Sequence, residues 1–475
     1  MLFINRTQEI AELNQIAAEP KAQFVMVYGR RRVGKTTLLT NWAAQSGLPT
    51  FYWVAKREPR QVLMANLAQH IYAWEHQTDQ PDVEIRPNDW DAALGMLLQA
   101  MGKNKSIVIL DELPYVLESD PGFTSYLQAA WDHQFKHTKI SFFVSGSHMG
   151  MMTRLVEYQA PLYGRFTAQL PILPLSFKDI AGFLPNYDVY RRLAVYAILG
   201  GIPAYLEQWN STESLNANIE RLFLKRTGWF RNEPMVLLSD LTQRETDNYE
   251  AILRAIASGN HIREKIAAAT AIPTESLSHY LPRLLDLRLV ERRIPATVPL
   301  PKRGVSKESR YFLSDPFLRF YYRFVDPNLH LIEQGLEKRL WTSMQENFRA
   351  FVADTFEEQC RQWIMVNAQR GTLPFEPDVV GGHWGREAQV DVVAISWREK
   401  EILLGEAKWG EGTVGREVIR ELVDKTPLVV PERGEGWKVY YFYFAREGFT
   451  EAARREAALN PSRLITFSEM VESYA

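Results

Sequence analysis

Residues 24–42 contain a spacing of residue types that suits the binding of a triphosphate. The stretch FVMVYGRRRVGKTTLLTNW holds the pattern G-x-x-x-x-G-K-T from Gly29 to Thr36, between a strand-like apolar run and a helix-like segment. Glycines let backbone N–H groups wrap a phosphate because no Cβ blocks their approach. Lys35 can reach the β- and γ-phosphates, and Thr36 can offer its hydroxyl to Mg²⁺. The spacing therefore predicts a site for ATP and Mg²⁺.

Three consecutive arginines stand inside this loop. The candidate nucleotide-binding residues are Gly29, Arg30, Arg31, Arg32, Val33, Gly34, Lys35, Thr36 and Thr37. The variable side chains of such loops tend to point away from the nucleotide. We therefore expect the arginines to face solvent, an acidic neighbour or another domain rather than the γ-phosphate.

A second apolar run ends in two carboxylates. In SIVILDELPYV the run ends at Asp111 and Glu112, and the carboxyl ends of strands are where α/β sheets bind their ligands. We expect Asp111 to hold the Mg²⁺ shell and Glu112 to polarise the water that attacks the γ-phosphate. The alternative is a pair of solvated acids at an ordinary strand end.

Three further polar residues suggest roles at the same site. Ser145 and Ser147 end the strand-like run ISFFVSGS, where either could sense the γ-phosphate, although serines are also common in turns. Arg165, in LYGR, could supply positive charge to the transition state or pair with an acid in the structure. Both alternatives stay open for Arg165.

A different set of charged residues lies near the C-terminus. In EAQVDVVAISWREKEILLGEAKW, Glu406 and Lys408 are two residues apart, so on a strand they project to the same side. A hairpin would bring Asp391 beside them. Asp391 and Glu406 could bind Mg²⁺ and activate a water for phosphodiester cleavage near Lys408. The alternative is a solvated strand face with a salt bridge.

The elements around these residues alternate between strand-like and helix-like patterns. The strand-like runs AQFVMVY, TFYWVA, SIVILDE and ISFFVSGS are separated by helix-like segments up to about residue 175. This alternation predicts an α/β multidomain protein whose first domain has a parallel sheet covered by helices. Further on, the apolar helical pattern breaks at LGGIPAYL, which predicts a sharp turn.

Residues 246–325 have a different pattern. Three short helical segments are followed by two strand-like pieces around a basic turn, which is the order of a winged helix-turn-helix. Pro282 is expected to interrupt the third helix. This domain could contact nucleic-acid phosphates, or it could serve only as a spacer that makes protein contacts. The basic residues available for phosphate contacts are Arg283, Arg288, Arg292, Arg293, Lys302, Arg303 and Lys307.

Composition narrows the class of protein. The 475 residues suffice for about three domains of ~150 residues, and the formal charge of −2 excludes a uniformly basic nucleic-acid coat. One cysteine, Cys360, excludes internal disulfides and cysteine-rich zinc sites. With no signal-like N-terminus and no apolar run of about 18 residues, we expect a cytoplasmic protein without a membrane segment.

Together these pieces resemble the archaeal-type ATPases of the STAND branch of the AAA+ proteins. The resemblance rests on FINRTQEIAEL, GRRRVGKTTLL, VILDEL, VSGS, LYGR, LGGIPAYL, SDPFLRFYYRFV and VDVVAI…LLGEAKW, which span nearly the whole chain. It implies a P-loop ATPase core over 1–175, a helical lid over 176–245 and a winged helix-turn-helix over 246–325. Over 335–475 it implies a restriction-endonuclease-like domain with a PD-(D/E)xK site.

The resemblance also implies roles for individual residues of the ATP site. Gly201 and Pro203 would form a lid motif that packs on the adenine, and Phe3 to Glu9 would lie near the base. Here the opening motif departs from the usual pattern, because Asn5-Arg6-Thr7 stands in place of glycine-arginine-glutamate.

In the C-terminal domain the resemblance makes Asp391, Glu406 and Lys408 the nuclease-like triad. Glu357 or Glu358, on the preceding helix, would be a further acid. Gln389 departs from the pattern, because relatives often have a glutamate before the aspartate.

Two functions from different classes fit these features. The leading hypothesis is a Mg²⁺-dependent ATPase that engages DNA through its winged helix and its nuclease-like C-terminal domain, in genome maintenance or defence. The alternative is an ATP-dependent regulatory switch or scaffold whose inactive nuclease fold makes protein contacts. Assembly into a homo-oligomer is compatible with both.

Overall fold

The computed structural model describes residues 3–78, 85–102, 104–238 and 246–473. The chain divides into two compact units, Met1–Leu175 with Ile202–Gln208 and Ser176–Gly201 with Trp209–Ala475. The finer domain boundaries given by the sequence remain predictions. Residues 239–245 of the predicted lid lie outside the described residues.

The described part of the first unit is built on one five-stranded parallel sheet. Its strands are β1 Gln23–Tyr28, β2 Thr50–Val54, β3 Ser106–Asp111, β4 Ile140–Gly146 and β5 Ala168–Pro171. They lie in the order β2-β3-β4-β1-β5, so β4 separates the strand before the phosphate loop from the strand that ends at Asp111. β3 and β4 are buried along their whole length, as expected for a parallel sheet covered by helices. The predicted α/β class is confirmed.

Helices cover this sheet. They are α1 Thr7–Ala18, α2 Lys35–Ser46, α3 Arg60–His76, α4 Trp90–Met101, α5 Leu113–Ser119, α6 Phe123–His133 and α7 Met149–Arg154. The core between the sheet and α3, α4 and α6 contains the large side chains Trp53, Trp90, Phe123 and Phe142. Burial of these apolar side chains holds the strand ends, and hence the phosphate loop, in place.

The second unit begins with helices and a small antiparallel sheet. Its first helix is α8 Val189–Leu199; the intervening short helix α9 Pro203–Leu206 belongs to the first unit. The following elements are α10 Leu215–Ile219, α11 Glu233–Leu238, α12 Thr246–Ala257, α13 Arg263–Thr270, α14 Leu277–Asp286, β6 Val290–Arg293, β7 Arg310–Leu313, α15 Pro316–Phe320, α16 Leu329–Glu333 and α17 Glu337–Gln369. Three helices and a two-stranded hairpin therefore occur in the predicted order.

Pro282 does not interrupt the third of these helices, contrary to the expectation from sequence. Helix α14 runs through it. The apolar face of α14 buries Leu277, Leu281 and Leu284, and this burial outweighs the one backbone hydrogen bond that an interior proline removes.

The C-terminal part of the second unit contains a five-stranded mixed sheet. Its elements are β8 Val379–Trp384, β9 Gln389–Ser396, β10 Glu401–Lys408, α18 Arg416–Asp424, α19 Thr426–Val429, β11 Lys438–Ala445, α20 Glu451–Ala457, β12 Ser462–Thr466 and α21 Phe467–Glu472. The strand order is β12-β11-β10-β9-β8, with β8, β9 and β10 antiparallel and β10, β11 and β12 parallel. None of the described helices has the length and hydropathy that a membrane crossing requires.

Glu358 joins three elements of the second unit. Its carboxylate, on α17, accepts hydrogen bonds from Arg293 of β6 at 2.7 Å and from Arg319 of α15 at 2.9 Å. Although burial alone would raise the pKa of Glu358, the charges of Arg319, Arg293 and Arg361 lower it to about 2. The ionised carboxylate therefore stabilises the packing of the hairpin on α17.

We expect Glu358→Gln to lower the free energy of unfolding by about 3 kcal/mol at pH 7, because three cations lose their common counter-charge. Since the pKa of Glu358 is depressed, its stabilisation is present above the unfolded pKa and is lost as the pH falls toward 2. The difference from wild type should therefore shrink between pH 5 and pH 2. Thermal unfolding of the full chain measures it, with Glu346→Gln on the exposed side of α17 as the control. A constant difference across this pH range would contradict the assignment.

Candidate functional sites

The loop between β1 and α2 requires both of its glycines. A Cβ on Gly29 would collide with the carbonyl oxygen of Ile172. Gly34 has φ of 95°, a left-handed conformation that other residues rarely adopt. The two glycines therefore allow the backbone to close around an anion directly before the N-terminus of α2.

The ammonium group of Lys35 is held by backbone carbonyl oxygens of this loop. Its ammonium group donates to the carbonyl oxygens of Gly29 at 2.9 Å and Arg30 at 3.2 Å, and the residue is only 4% exposed. The cation is thereby kept beside the loop, within reach of phosphate oxygens that could replace these carbonyls. This arrangement fits a nucleoside triphosphate.

Asp111 is the centre of a buried polar cluster at the carboxyl ends of the strands. Its Oδ2 accepts hydrogen bonds from the hydroxyls of Thr36 at 2.5 Å and Tyr52 at 3.1 Å. Its Oδ1 accepts from the Ser145 hydroxyl and from the Glu112 N–H at 2.9 Å. Burial and the charge of Asp111 raise the pKa of Tyr52, which therefore stays a donor. A hydroxyl and a carboxylate in contact are hard oxygen ligands, and this donor set fits Mg²⁺.

Glu112 follows with an unusual backbone conformation. Its φ of 53° and ψ of 46° lie in the left-handed region, which costs a non-glycine residue ~1 kcal/mol or more. Its Oε2 accepts from the hydroxyl of Ser147 at 2.8 Å and from the Ser147 N–H at 3.2 Å. Ser145 in β4 thus contacts Asp111 at the end of β3, and Ser147, just after β4, contacts Glu112, just after β3.

Arg30 points toward α9. Its guanidinium donates to the Tyr205 hydroxyl at 3.0 Å and lies 5.4 Å from the centre of that ring. Pro203, also on α9, approaches the loop at Gly34. Gly201, the other predicted lid residue, belongs to the second unit. The arginine and the proline therefore join the phosphate loop to α9.

Arg6 is a site residue that the sequence did not reveal. It is 7% exposed, and its guanidinium donates to the carbonyl oxygens of Val33 at 2.9 Å and Leu173 at 2.8 Å and to Glu9 at 2.6 Å. The only signal was its position in the opening motif, which suggested a place near the base. Its contacts show that Arg6 supports the phosphate loop, and its place near the base stays a prediction.

Arg165 pairs with an acid in the structure. Its guanidinium donates to both oxygens of Asp132, the shortest contact being 2.8 Å, and to the Pro161 carbonyl at 2.8 Å. The hydrogen bond from Arg165 lowers the pKa of Asp132. Of the two alternatives for Arg165, the acid pair is therefore formed, and a role toward the phosphates stays a prediction.

The β9–β10 hairpin brings together the three residues predicted near the C-terminus. Gly405 pairs with Val392, so the antiparallel register brings Asp391 beside Glu406. Oδ2 of Asp391 accepts from the Ala407 N–H at 3.0 Å. Burial and the charge of Glu406 raise the pKa of Asp391 despite this hydrogen bond. Two carboxylates that repel one another are a feature that a bound cation would relieve.

Two lysines already balance the charge of Glu406. Lys408 donates to its Oε1 at 2.8 Å and Lys425 donates to its Oε2 at 3.2 Å. Although burial opposes it, the contact with Glu406 raises the pKa of Lys408, so this ammonium stays charged. Among the described residues, no group of three or more His, Cys, Asp or Glu side chains is arranged as a metal site. A divalent ion would have to displace one of these lysines.

The two candidates for a further acid, Glu357 and Glu358, have different surroundings on helix α17. Glu358 belongs to the arginine cluster described above. Glu357 lies 3.6 Å from Arg361, and burial together with the charge of Asp391 raises its pKa. Glu357 is therefore the acid beside Asp391. Gln389, at the start of β9, is exposed.

Comparison with known proteins supports the first site. Residues 3–209 match a family described as an ATPase domain predominantly from Archaea, and residues 321–420 match a family of archaeal and bacterial proteins of unknown function. An uncharacterised protein of Methanocaldococcus jannaschii is 28% identical over 436 residues, 90% of this chain and 92% of that protein. The solved Walker-type ATPase of Pyrococcus abyssi has a TM-score of 0.51 at 18% identity, covering 68% of this chain and 96% of that one.

The first match, the parallel sheet and the phosphate loop support a P-loop ATPase fold for residues 3–209, which are similar to ATPase domains found predominantly in Archaea. The similarity to the Pyrococcus abyssi structure supports the fold. The ATPase fold predicted for the N-terminal part is thereby supported, and its bounds of 1–175 stay a prediction. The functions predicted for the C-terminal part remain proposals, because its family has no described activity.

We expect Arg6→Ala to weaken ATP binding about tenfold, because the loss of a charged donor releases the Val33 carbonyl and loosens the loop. Lys35→Ala should abolish binding, since the lysine is the cation that reaches the phosphates. Calorimetric titration with ATP measures both. Arg57→Ala, which removes an exposed arginine of the same unit, is the control. If Arg6→Ala bound ATP as wild type does, the supporting role of Arg6 would be excluded.

Proposed function

We propose that this protein hydrolyses ATP with Mg²⁺ in its first unit and engages nucleic acid through its second unit, which carries a metal-dependent nuclease-like site. The observation that carries the proposal is the cluster around Asp111. Hydrogen bonds join Asp111, the last residue of β3, to the phosphate-loop Thr36, to the N–H of Glu112 and to Ser145 of β4.

In this proposal each residue of the cluster has a separate task. Lys35 exchanges its carbonyl partners for the oxygens of the β- and γ-phosphates. Thr36 and Asp111 hold Mg²⁺, which when bound neutralises charge on those phosphates. Asp111 also keeps the Thr36 hydroxyl in the correct orientation, because Tyr52 donates to the same carboxylate oxygen and Ser145 donates to the other one.

Glu112 acts as the general base. Both contacts from Ser147 go to Oε2, and no described hydrogen-bond donor contacts Oε1. That oxygen can accept a proton from the attacking water while Ser147 fixes the side chain. Ser145 and Ser147 connect the acids to the end of β4, which makes that strand end a sensor of the γ-phosphate.

The remaining ATP-site residues have supporting roles. Gly201 and Pro203 form the turn that closes over the adenine, consistent with the approach of Pro203 to Gly34. Arg30 contributes to this closure through Tyr205. Arg165 would reach a phosphate only after leaving Asp132, or would act on the nucleotide of a second copy of the chain.

We expect Glu112→Gln to bind ATP with unchanged affinity but to hydrolyse it ~100-fold or more slowly, because the amide keeps the shape of the side chain and cannot accept the proton. Release of phosphate with Mg²⁺ measures the rate. Glu118→Gln, a glutamate of the same helix α5, is the control and should retain wild-type turnover. Wild-type hydrolysis by Glu112→Gln would assign the base to another residue.

Basic side chains support nucleic-acid engagement by the second unit. Arg288, Lys302 and Lys307 are exposed around the β6–β7 hairpin and are suited to phosphate contacts. The contacts of Arg293 differ from the phosphate contact predicted from the sequence, because its guanidinium pairs with Glu291 and Glu358. A guanidinium held by two carboxylates contributes to structure rather than to phosphate binding.

The acidic pair of the C-terminal sheet supports a metal site. Asp391 and Glu406 are adjacent carboxylates with Glu357 close by, and Lys408 lies where it could contact an attacked phosphate. Mg²⁺, when bound, would activate water and neutralise the phosphate. The residues of this chain would hold the ion and orient the phosphodiester.

A second function is favoured by a specific observation. Both oxygens of Glu406 accept from lysines, and Gln389 stands in place of an acid. A carboxylate on an interior strand that is already paired with lysines suits a scaffold that makes protein contacts. The two functions differ in whether a divalent ion displaces Lys408 or Lys425 from Glu406.

We expect the full chain to bind Mn²⁺ without ATP through Asp391, because an ion relieves the repulsion between the carboxylates. Asp391→Asn should remove this binding, as measured by calorimetry. Asp378→Asn is a matched control, since Asp378 also accepts a backbone N–H, from Trp397, at 2.8 Å. If Mn²⁺ binding were the same in Asp391→Asn as in wild type, the scaffold function would replace the nuclease-like one.

A further inference from the structure

The second unit contains a cavity of about 800 Å³ beside Asp391. Its walls are the β6–β7 hairpin, one side of α17, the end of α12 and the strands β8 and β9. The volume is within the range of roughly 300–1,000 Å³ that is typical of small-ligand sites. It is large enough for a nucleotide and too small for a duplex.

The hairpin is fixed to β8 along one side of this cavity. The Ala296 N–H donates to the Gly382 carbonyl at 2.9 Å, and the Thr297 hydroxyl and the His383 ring nitrogen are 2.7 Å apart. The Trp384 indole N–H donates to the Glu308 carbonyl at 2.9 Å. These contacts hold the hairpin against β8 at this wall of the cavity.

The acids on the α17 side of the cavity are already paired. Glu358 binds Arg293 and Arg319, as described above, and Asp354 lies 3.5 Å from Arg323. Glu357 lies beside Arg361. These pairs neutralise that wall.

The hairpin side has guanidinium groups without acidic partners. Arg303 donates to the carbonyls of Pro295 and Ile294, and Arg310 lies over the Trp384 ring at 5.1 Å from its centre. Within the described ranges neither forms an ion pair, and burial lowers the pKa of both. Cations that are partly desolvated and lack a counter-charge favour an anionic ligand, and arginine matches a phosphate in geometry.

Flat rings stand next to these cations. Trp384 is partly exposed beneath Arg310. Phe312 stacks on His261 with ring centres 4.3 Å apart. A phosphate-binding guanidinium beside an accessible indole is the combination that proteins use to bind unpaired nucleotides, because the ring stacks on a base while the cation contacts the backbone.

The geometry points to this cavity as a binding site for one or two nucleotides of a single-stranded nucleic acid, with Arg303 and Arg310 on the phosphates, Trp384 stacked on a base and the backbone leading toward Asp391. This assignment rests on the proposed nucleic-acid engagement and specifies its substrate class. A strand end or an unpaired loop can enter the cavity, whereas an intact duplex cannot.

Fluorescence anisotropy of the full chain in EDTA and without ATP tests the assignment. The probes are a labelled 12-nucleotide single-stranded DNA, the RNA of the same length and the 12-base-pair duplex. We expect Arg310→Gln and Trp384→Leu each to weaken single-strand binding about tenfold or more, because each removes a phosphate or stacking contact. Duplex binding should change little. Arg398→Gln, an exposed arginine outside the cavity, should bind as wild type does.

Arg303→Gln provides an independent third variant, and circular dichroism and thermal unfolding of each full-length variant check that the chain is folded. If wild type binds single strands and the cavity variants bind them equally well, this inference is wrong while the proposed function stands. If the variants weaken duplex binding as much as single-strand binding, the hairpin binds the outside of a duplex and the inference is again wrong. If wild type binds none of the three probes, the proposed nucleic-acid engagement fails as well.

Discussion

The first unit depends on the buried carboxylate of Asp111. It is fully buried and receives four hydrogen bonds, from α2, from β2, from β4 and from the residue that follows it. A buried charge is tolerated only when its hydrogen-bonding capacity is filled. The hydrogen bonds that satisfy Asp111 therefore also fix the Thr36 hydroxyl, the end of β4 and the start of α5. The fold brings these residues together because the carboxyl ends of parallel strands lie at the same end of the sheet.

In the second unit, α17 has two adjacent glutamates in opposite environments. Glu358 is surrounded by arginines and stays ionised, whereas Glu357 faces Asp391 and is more easily protonated. Successive residues of a helix point about 100° apart. Helix α17 can therefore stabilise the packing of the hairpin through Glu358 and place an acid beside Asp391 through Glu357. The arginines around Glu358 hold the hairpin over the sheet. The cavity beside Asp391 exists because of that attachment.

Much of the ATP site could be predicted from sequence because its signals are local. The glycines, Lys35 and Thr36 lie within a few residues, and the apolar run before Asp111 is long enough to identify a buried strand. The pairing of Asp391 with Glu406 was also predictable, because a hairpin between neighbouring strands requires only local register. The sequence did not predict β8, whose residues VVGGHW are half-buried throughout and show no alternation.

The contacts that were missed are those between distant residues. Nothing in the spacing of residues indicates that Arg6 reaches Val33 and Leu173, or that Arg30 lies against Tyr205. The contact of Lys425 with Glu406 depends on how α18 packs on the sheet. At Pro282 the error is of the opposite kind. The rule that a proline interrupts a helix was applied, whereas burial of the leucine face of α14 keeps the helix continuous. Long-range packing, rather than residue type, determines these contacts.

The most direct test is a crystal structure of the full chain with Mg²⁺ and a non-hydrolysable ATP analogue. The account predicts that the Lys35 ammonium leaves the carbonyls of Gly29 and Arg30 for phosphate oxygens. It also predicts that the Thr36 hydroxyl, still next to Asp111, coordinates the ion. A bound nucleotide with Lys35 unmoved, or an ion that contacts neither Thr36 nor Asp111, would contradict it.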